Sequence, residues 1–168
     1  SLMLDTRAAE SVAPLRPAIA TSNAQATDAG MEVLAAGGNA FDAAIAISAT
    51  LGLVEPESSG IGGGGFFLLH LASENRTVFV DARERAPLAA TADMFLDAER
   101  NPVPKASIDG ALAAAIPGLP AGLVHVSRKY GRLPLSQSLA PAIRLAREGW
   151  VFNRKNAELM DWRLQALS

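Results

Sequence analysis

The residues best suited to chemistry in this sequence are the charged side chains of one short segment, Asp81-Ala-Arg-Glu84-Arg-Ala-Pro87. A guanidinium such as that of Arg83 can bind a carboxylate through two parallel hydrogen bonds. The neighbouring Glu84 can accept hydrogen bonds from an ammonium group, so the pair suits the head group of an α-amino acid. Charges on loops of a rigid scaffold often bind ligands. Taken alone, however, an exposed Arg-Glu-Arg segment is more often a solvated surface cluster.

A second candidate is the run from Gly60 to Gly65, which matches the G-x-G-x-x-G fingerprint of dinucleotide sites. That fingerprint requires a strand before the glycines and a helix after them. The predicted order here is the reverse, and no Gly-Lys-Ser/Thr follows to contact phosphates. We therefore interpret the run as a tight structural loop.

The other reactive residue types lack suitable partners. His70 falls in a strand pattern and His125 on a predicted helix, and neither has a metal-ligand companion at useful spacing. We interpret both as structural, and we expect no metal and no cofactor. Ser58 and Ser59 precede the glycine run without forming a G-x-S-x-G elbow. Ser1 could act as an N-terminal nucleophile, but its place just ahead of a methionine favours a scar of recombinant expression.

The composition excludes several classes of function. The 168 residues are 49% hydrophobic and 19% charged, which suits one globular unit. The 15 Lys and Arg residues are scattered and the net charge is -2, so we expect no nucleic-acid partner. Cysteine is absent, which excludes disulfides and a thiol nucleophile. No run approaches the roughly 18 apolar residues of a membrane-spanning helix, so no membrane span is predicted.

Two helices are predicted before the glycine run. The segment from Ser22 to Gln25 has the S-x-x-Q form of a capping box, and it opens a helix that ends at Gly37. Asn39 is expected to cap a second helix, in which Asp42 lies three residues further on. This second helix is apolar on nearly all sides, so it must be buried on most of them.

A hairpin is predicted directly after the glycine run. Its strands are Phe66–Leu71, which we interpret as a buried strand, and Thr77–Asp81. Arg83 therefore lies just past the end of a strand. Residues 111–116 are predicted as a further short strand.

Helices are predicted for the last third of the chain. One spans Leu119–Tyr130, a second follows from Leu135 to Ala146, and Asn153 is expected to cap a last amphipathic helix. That last pattern stops at Ser168 without a stop signal, as in a truncated or cleaved protein. Two or three strands are also too few to cover these apolar helices. We expect the missing partners to lie in further segments, or the chain to associate with itself.

Three separated motifs resemble the γ-glutamyltranspeptidase family in their order and spacing. They are Gly37-Gly-Asn-Ala-Phe-Asp-Ala-Ala44, Ser59-Gly-Ile-Gly-Gly-Gly-Gly-Phe66 and Asp81-Ala-Arg-Glu-Arg-Ala-Pro87. Shorter similarities extend the resemblance over about Thr21 to Asn153. The sequence departs from the family pattern at two places. Ala82 stands where many members have phenylalanine, and segment 55–59 before the glycine run differs from other variants. These departures leave open which acyl-donor substrate the protein prefers.

The resemblance implies an α+β fold of the N-terminal-nucleophile hydrolase type, an α-β-β-α sandwich that is only partly present in this chain. It also implies a precursor that cleaves itself into two subunits, with a catalytic threonine opening the small one. Residues 21–168 would then be the front part of the large subunit, after an extension, residues 1–20, that includes the expression scar. No Thr-Thr-His-like segment occurs here, so no catalytic residue is expected in this chain.

The resemblance also assigns roles and partners. In the family, the arginine of an Arg-Glu motif binds the α-carboxylate of the γ-glutamyl group; Arg83 matches that arginine and Glu84 its neighbour. The implied partners are a γ-glutamyl donor such as glutathione, the rest of the large subunit and the small subunit, and the implied location is the periplasm or the cell exterior. Two alternatives stay open: a cephalosporin or glutaryl acylase of the same family, and a stand-alone, non-catalytic ligand-binding module.

Overall fold

The computed structural model describes residues 16–152 and 154–167. Within those ranges, six α-helices and one two-stranded antiparallel sheet follow one another along the chain. Their bounds are α1 Ala24–Ala35, α2 Ala40–Val54, β1 Gly65–Leu71, β2 Arg76–Ala82, α3 Leu119–Tyr130, α4 Leu135–Ser138, α5 Ala140–Glu148 and α6 Arg154–Leu167. No helix in the described ranges has the length and apolar character needed to cross a membrane.

Helix α1 is capped by Asn23, one residue after the predicted cap. The Asn23 side chain accepts a hydrogen bond of 2.9 Å from the backbone N–H of Gln25. The hydroxyl of Ser22 instead donates to a carboxylate oxygen of Glu55, at 2.8 Å. The predicted S-x-x-Q capping box is therefore wrong, because an asparagine one position later caps a helix equally well. The helix ends as predicted before Gly37, whose φ of +92° suits glycine.

Helix α2 begins at the predicted cap, Asn39, which forms a capping box with Asp42. The Asn39 side chain accepts from the N–H of Asp42 at 3.0 Å, and Asp42 accepts in return from the N–H of Asn39 at 2.9 Å. Asp42 is fully buried and also accepts from the backbone N–H of Arg132 at 2.9 Å and from the hydroxyl of Ser138 at 3.3 Å. One carboxylate therefore ties the start of α2 to the segment that follows α3.

The core lies between α2, α3 and one face of the sheet. Ile45 of α2, Leu69 of β1 and Val126 of α3 belong to one buried cluster. Small residues of α1 and α2, among them Ala29 and Ala46, form a second cluster in which the two helices pack closely. As predicted, α2 is covered on most sides, by α1, α3, α4 and α5.

The predicted antiparallel hairpin forms, with Phe66 paired with Asp81, but only one of its faces is buried. Leu69 is 5% exposed on the face that packs on the helices. On the opposite face Phe66 is 54% exposed, Leu68 is 74% exposed and Phe79 is 60% exposed, and we call these three residues the outer sheet face. The prediction of a buried first strand is therefore wrong for alternate residues, because side chains of a strand alternate between faces. Helices on one side of an antiparallel sheet confirm the α+β class, with the second sheet absent from the described residues.

Two predictions in the second half of the chain need correction. Residues 111–116 form a 3-10 turn at Ala111–Ala113 and a single bridge between Ile116 and Arg85, not a strand. The helix predicted from Leu135 to Ala146 is divided into α4 and α5 at Leu139. Pro141, at the start of α5, explains the division because a proline inside a continuous helix would remove a hydrogen bond and clash with the preceding turn.

The predicted last helix is present, and α5 ends two residues beyond the predicted Ala146, at Glu148. Gly149 follows α5 with a φ of +88°. The amphipathic helix α6 forms, whereas its predicted cap, Asn153, lies outside the described residues. Asn156 of α6 is 3% exposed, and its side-chain amide donates to the carbonyl oxygen of Val54 at 3.2 Å. This contact attaches α6 to the end of α2.

Candidate ligand-binding site

Arg83 and Glu84, the two predicted site residues, line one pocket together with the glycine loop. The pocket has a volume of about 760 Å³. Its lining consists of Gly52, residues 56–66, Arg83 and Glu84. The structure thus brings together two segments that the sequence separates by about twenty residues, the loop after α2 and the segment after β2.

Glycine is required at position 64 because the loop lies directly on the backbone of the Arg83 segment. A Cβ atom at Gly64 would lie 2.5 Å from the backbone nitrogen of Glu84 and 2.7 Å from the Cα of Arg83. The predicted order of helix, glycine loop and strand is confirmed. The loop therefore forms one wall of the pocket by direct backbone packing, and we call this pocket the glycine-walled pocket.

The start of helix α3 fixes both walls of the pocket. The carbonyl oxygen of Gly63 accepts from the N–H groups of Gly118 and Leu119, each at 3.1 Å. A Cβ at Gly118 would in turn collide with the carbonyl oxygens of Ala82 and Arg83. Because α3 packs in the core, the glycine loop and the end of β2 are held on a rigid element.

The backbone around Arg83 is held by two further contacts. The N–H of Arg83 donates to a carboxylate oxygen of Asp81 at 2.9 Å. Arg85 and Ile116 exchange two backbone hydrogen bonds, of 3.1 and 2.8 Å. Arg85 lines a different cavity, of about 460 Å³, which Arg83 and His125 also line. Of the two arginines in the motif, only Arg83 lines the glycine-walled pocket.

The Arg83 side chain is exposed, and its guanidinium carbon lies 6.0 Å from the centre of the Phe66 ring. No carboxylate in the described part of the chain forms an ion pair with it. Glu84 is half-buried beside it. A cation with free hydrogen-bond donors and an adjacent carboxylate can together bind a small zwitterion.

The remaining sequence candidates do not assemble into a second site. Ser58 and Ser59 line the pocket, but no histidine does. His70 is exposed, with its Nδ1 atom 3.2 Å from the hydroxyl of Thr77, and the His125 ring lies edge-on to an aromatic ring of α3. Ser1 lies outside the described residues. Among residues 16–152 and 154–167, no group of three His, Asp or Glu side chains is arranged to hold a metal ion.

Sequence reasoning missed Phe66 as a pocket residue, because it treated this side chain only as part of a strand. The signal in the sequence was the place of Phe66 directly after the glycine run, and the structure pairs this residue with Asp81, two residues before Arg83. Ala82, the departure that left donor preference open, is 6% exposed and packs towards Gly122 of α3. It is not among the residues that line the glycine-walled pocket.

The described residues therefore form an α+β unit with a pocket at the end of a sheet, where a glycine loop meets an arginine. Comparison with known proteins gives the family. The family model described as gamma-glutamyltranspeptidase matches residues 26–168, and the chain belongs to the γ-glutamyltranspeptidase family.

Individual relatives agree with this assignment. The chain is 42% identical over 142 residues to the glutathione hydrolase proenzyme of Pseudomonas sp. (strain A14), covering 84% of this chain and 24% of that protein. The crystal structure of Helicobacter pylori gamma-glutamyltranspeptidase has a TM-score of 0.84 and 43% identity, with coverage of 91% of this chain and 45% of that chain. The cephalosporin acylase of Bacillus halodurans has a TM-score of 0.73 and 30% identity, over 98% of this chain and 32% of that chain.

These comparisons confirm the predicted family and the partial N-terminal-nucleophile hydrolase fold. The chain spans about a quarter of the length of the curated relatives that it matches.

Proposed function

We propose that this chain supplies the donor-binding pocket of an enzyme that cleaves γ-glutamyl amides such as glutathione. In this proposal the reaction passes through a γ-glutamyl ester on a threonine, and water or an amino acid then attacks that ester. The threonine and the remainder of the large subunit lie in segments outside these 168 residues. The observation that carries the proposal is the guanidinium of Arg83, which lines a glycine-walled pocket and has no ion-pair partner in the described residues.

The two charged residues match the chemistry of a γ-glutamyl group. Its α-carbon bears both a carboxylate and an ammonium group, so one ligand atom presents the two charges side by side. Arg83 would bind the carboxylate through two hydrogen bonds, and Glu84 would accept from the ammonium group. This arrangement would fix one end of the donor and direct the amide towards the nucleophile, and the gain in rate would come from that orientation.

The direct test is the kinetics of an Arg83→Lys variant of the full-length gene product, with γ-glutamyl-4-nitroanilide as the donor. Lysine keeps the positive charge but cannot form the bidentate hydrogen bonds of a guanidinium, so we expect KM to rise by about tenfold with a smaller change in kcat. Arg85→Lys is the matched control, because Arg85 lies two residues away and does not line the glycine-walled pocket. An Arg83→Lys enzyme with unchanged kinetics would remove Arg83 from the site.

An acylase of the same family is the second candidate, and the similarity to a cephalosporin acylase supports it. Arg83 would serve any donor with a carboxylate, whereas Glu84 has a role only if the donor also carries an ammonium group. In a γ-glutamyl enzyme, Glu84→Gln should raise KM for γ-glutamyl-4-nitroanilide more than for glutaryl-4-nitroanilide, which lacks the amino group. In an acylase, the wild type should prefer the glutaryl donor.

Two further parts of the proposal concern the whole protein. Export to the periplasm or the cell exterior is supported by the family resemblance, and cell fractionation tests it.

A stand-alone, non-catalytic module is the remaining alternative to an enzyme. Sequencing the gene beyond codon 168 distinguishes the enzyme from the stand-alone module. A Thr-Thr-His-like segment downstream supports the enzyme, and a stop codon supports the module.

A further inference from the structure

We propose that Phe66 is a positioning residue that holds the guanidinium of Arg83 ready for the donor carboxylate. Donor affinity should then depend on an aromatic ring at position 66. This inference rests on the proposed function, since it concerns the same pocket.

The geometry that carries the proposal is the placement of the Phe66 ring. The guanidinium carbon of Arg83 lies 6.0 Å from the ring centre, within the range of a cation–π interaction. Phe66 also lines the glycine-walled pocket. Its ring stacks on Phe79 at 5.5 Å between centres and an interplanar angle of 25°. This stacking restricts the ring that lies next to the guanidinium.

The other contacts around Arg83 act on its backbone. Asp81 accepts from the Arg83 N–H, and Gly118 lies against the Arg83 carbonyl oxygen. Neither contact restrains the long side chain, which loses rotamer freedom when it binds a ligand. A contact that restricts the side chain before the donor arrives lowers that entropic cost. Within the described residues, the Phe66 ring is the group that contacts the guanidinium in this way.

An aromatic ring is also better suited to this task than an acidic partner. A carboxylate beside Arg83 would occupy its N–H groups and compete with the carboxylate of the donor. The ring face attracts the cation without accepting hydrogen bonds from its in-plane N–H groups. Those N–H groups therefore stay available for a bidentate contact with a carboxylate. Positioning by Phe66 and binding of a carboxylate are therefore compatible.

The test is steady-state kinetics of the full-length gene product with two donors, γ-glutamyl-4-nitroanilide and 4-aminobutyryl-4-nitroanilide, which lacks the α-carboxylate. For Phe66→Leu we expect KM for the γ-glutamyl donor to rise about two- to fivefold, with kcat little changed. KM for the second donor should stay the same, and Phe66→Tyr should restore the wild-type value. If Phe66→Leu does not fold, Phe66→Met replaces it.

Leu68→Ala is the matched control. Leu68 lies on the same outer sheet face and is 74% exposed, but it does not line the pocket. It should leave KM for both donors unchanged. The inference is overturned if Leu68→Ala raises KM as much as Phe66→Leu does, if leucine and tyrosine at position 66 give the same KM, or if both donors are affected equally. An unchanged KM in Arg83→Lys would overturn the proposed function as well, so the two failures are distinguishable.

Discussion

Replacing Gly64 by alanine should destabilise the protein where the glycine loop meets the Arg83 segment. The new Cβ would lie 2.5 Å from the backbone nitrogen of Glu84 and 2.7 Å from the Cα of Arg83, and it would also collide with the Glu84 carboxylate. Real Cβ contacts essentially never fall under 3.0 Å. The carboxylate can rotate away, but the two backbone atoms cannot, so the loop and the segment must separate by about half an ångström.

The size of the effect follows from two opposing contributions. Forcing an extra carbon into a packed region costs about 1–3 kcal/mol. Alanine also restricts the unfolded chain, which offsets about 0.4–1 kcal/mol of that loss. The difference between these ranges is about 0–2.6 kcal/mol, and we expect the free energy of unfolding to fall by about 1.3 kcal/mol, which corresponds to a decrease in Tm of roughly 3–5 °C for a domain of this size. KM for a γ-glutamyl donor should rise in parallel, because Arg83 and Glu84 move with the backbone.

Gly62→Ala is the matched control for this prediction. Gly62 lies two residues away in the same loop, a Cβ there would meet no atom within 4 Å, and its φ is not in the left-handed region. Urea and thermal unfolding of the two variants should show a loss for Gly64→Ala and little change for Gly62→Ala. Equal stability of the two variants would show that the close approach of the loop to Arg83 does not occur.

Other contacts of the fold give further predictions. Asp42→Ala should lower the free energy of unfolding by about 2–4 kcal/mol in urea denaturation, because the buried hydroxyl of Ser138 and partly buried backbone N–H groups lose their acceptor; a loss under 1 kcal/mol would contradict this role. Glu32→Gln should hardly change Tm, since its ion pair with Arg144, which raises the pKa of that arginine, is about half exposed; a Tm decrease of several degrees would be inconsistent with that view. The isolated chain should self-associate through the outer sheet face, and a concentration-independent monomer mass in sedimentation experiments would count against it.

Sequence patterns predicted the parts of this fold that depend on neighbouring residues. The cap at Asn39, the hairpin and helix α3 all follow from signals within a few positions of one another. Pro141 marks the break between α4 and α5 in the sequence, whereas the apolar spacing from Leu135 to Ala146 continues across it and predicts one helix. The cap at Asn23 was missed because two adjacent residues can both serve as caps.

The pocket could not be predicted in the same way, because it is formed by contacts between residues that lie far apart in the sequence. Arg83 and Glu84 were proposed from their chemistry and from a family resemblance, but nothing near them in sequence shows that Gly64 lies on their backbone. The close contact of the glycine loop with the Arg83 backbone depends on Gly118. This residue lies at the start of α3, more than thirty residues after Arg83. The place of Phe66 in the pocket was missed for a similar reason, since hydrophobic residues in a strand pattern are ordinarily assigned to the core.

The most direct test of the central claim, that Arg83 binds the donor carboxylate, compares two donors in the wild type and in Arg83→Gln. The donors are γ-glutamyl-4-nitroanilide and its analogue without the α-carboxylate, 4-aminobutyryl-4-nitroanilide. If Arg83 binds the carboxylate, the variant should lose roughly ten- to hundredfold in kcat/KM for the first donor and almost nothing for the second. An equal loss for both donors, or no loss for either, would contradict the claim.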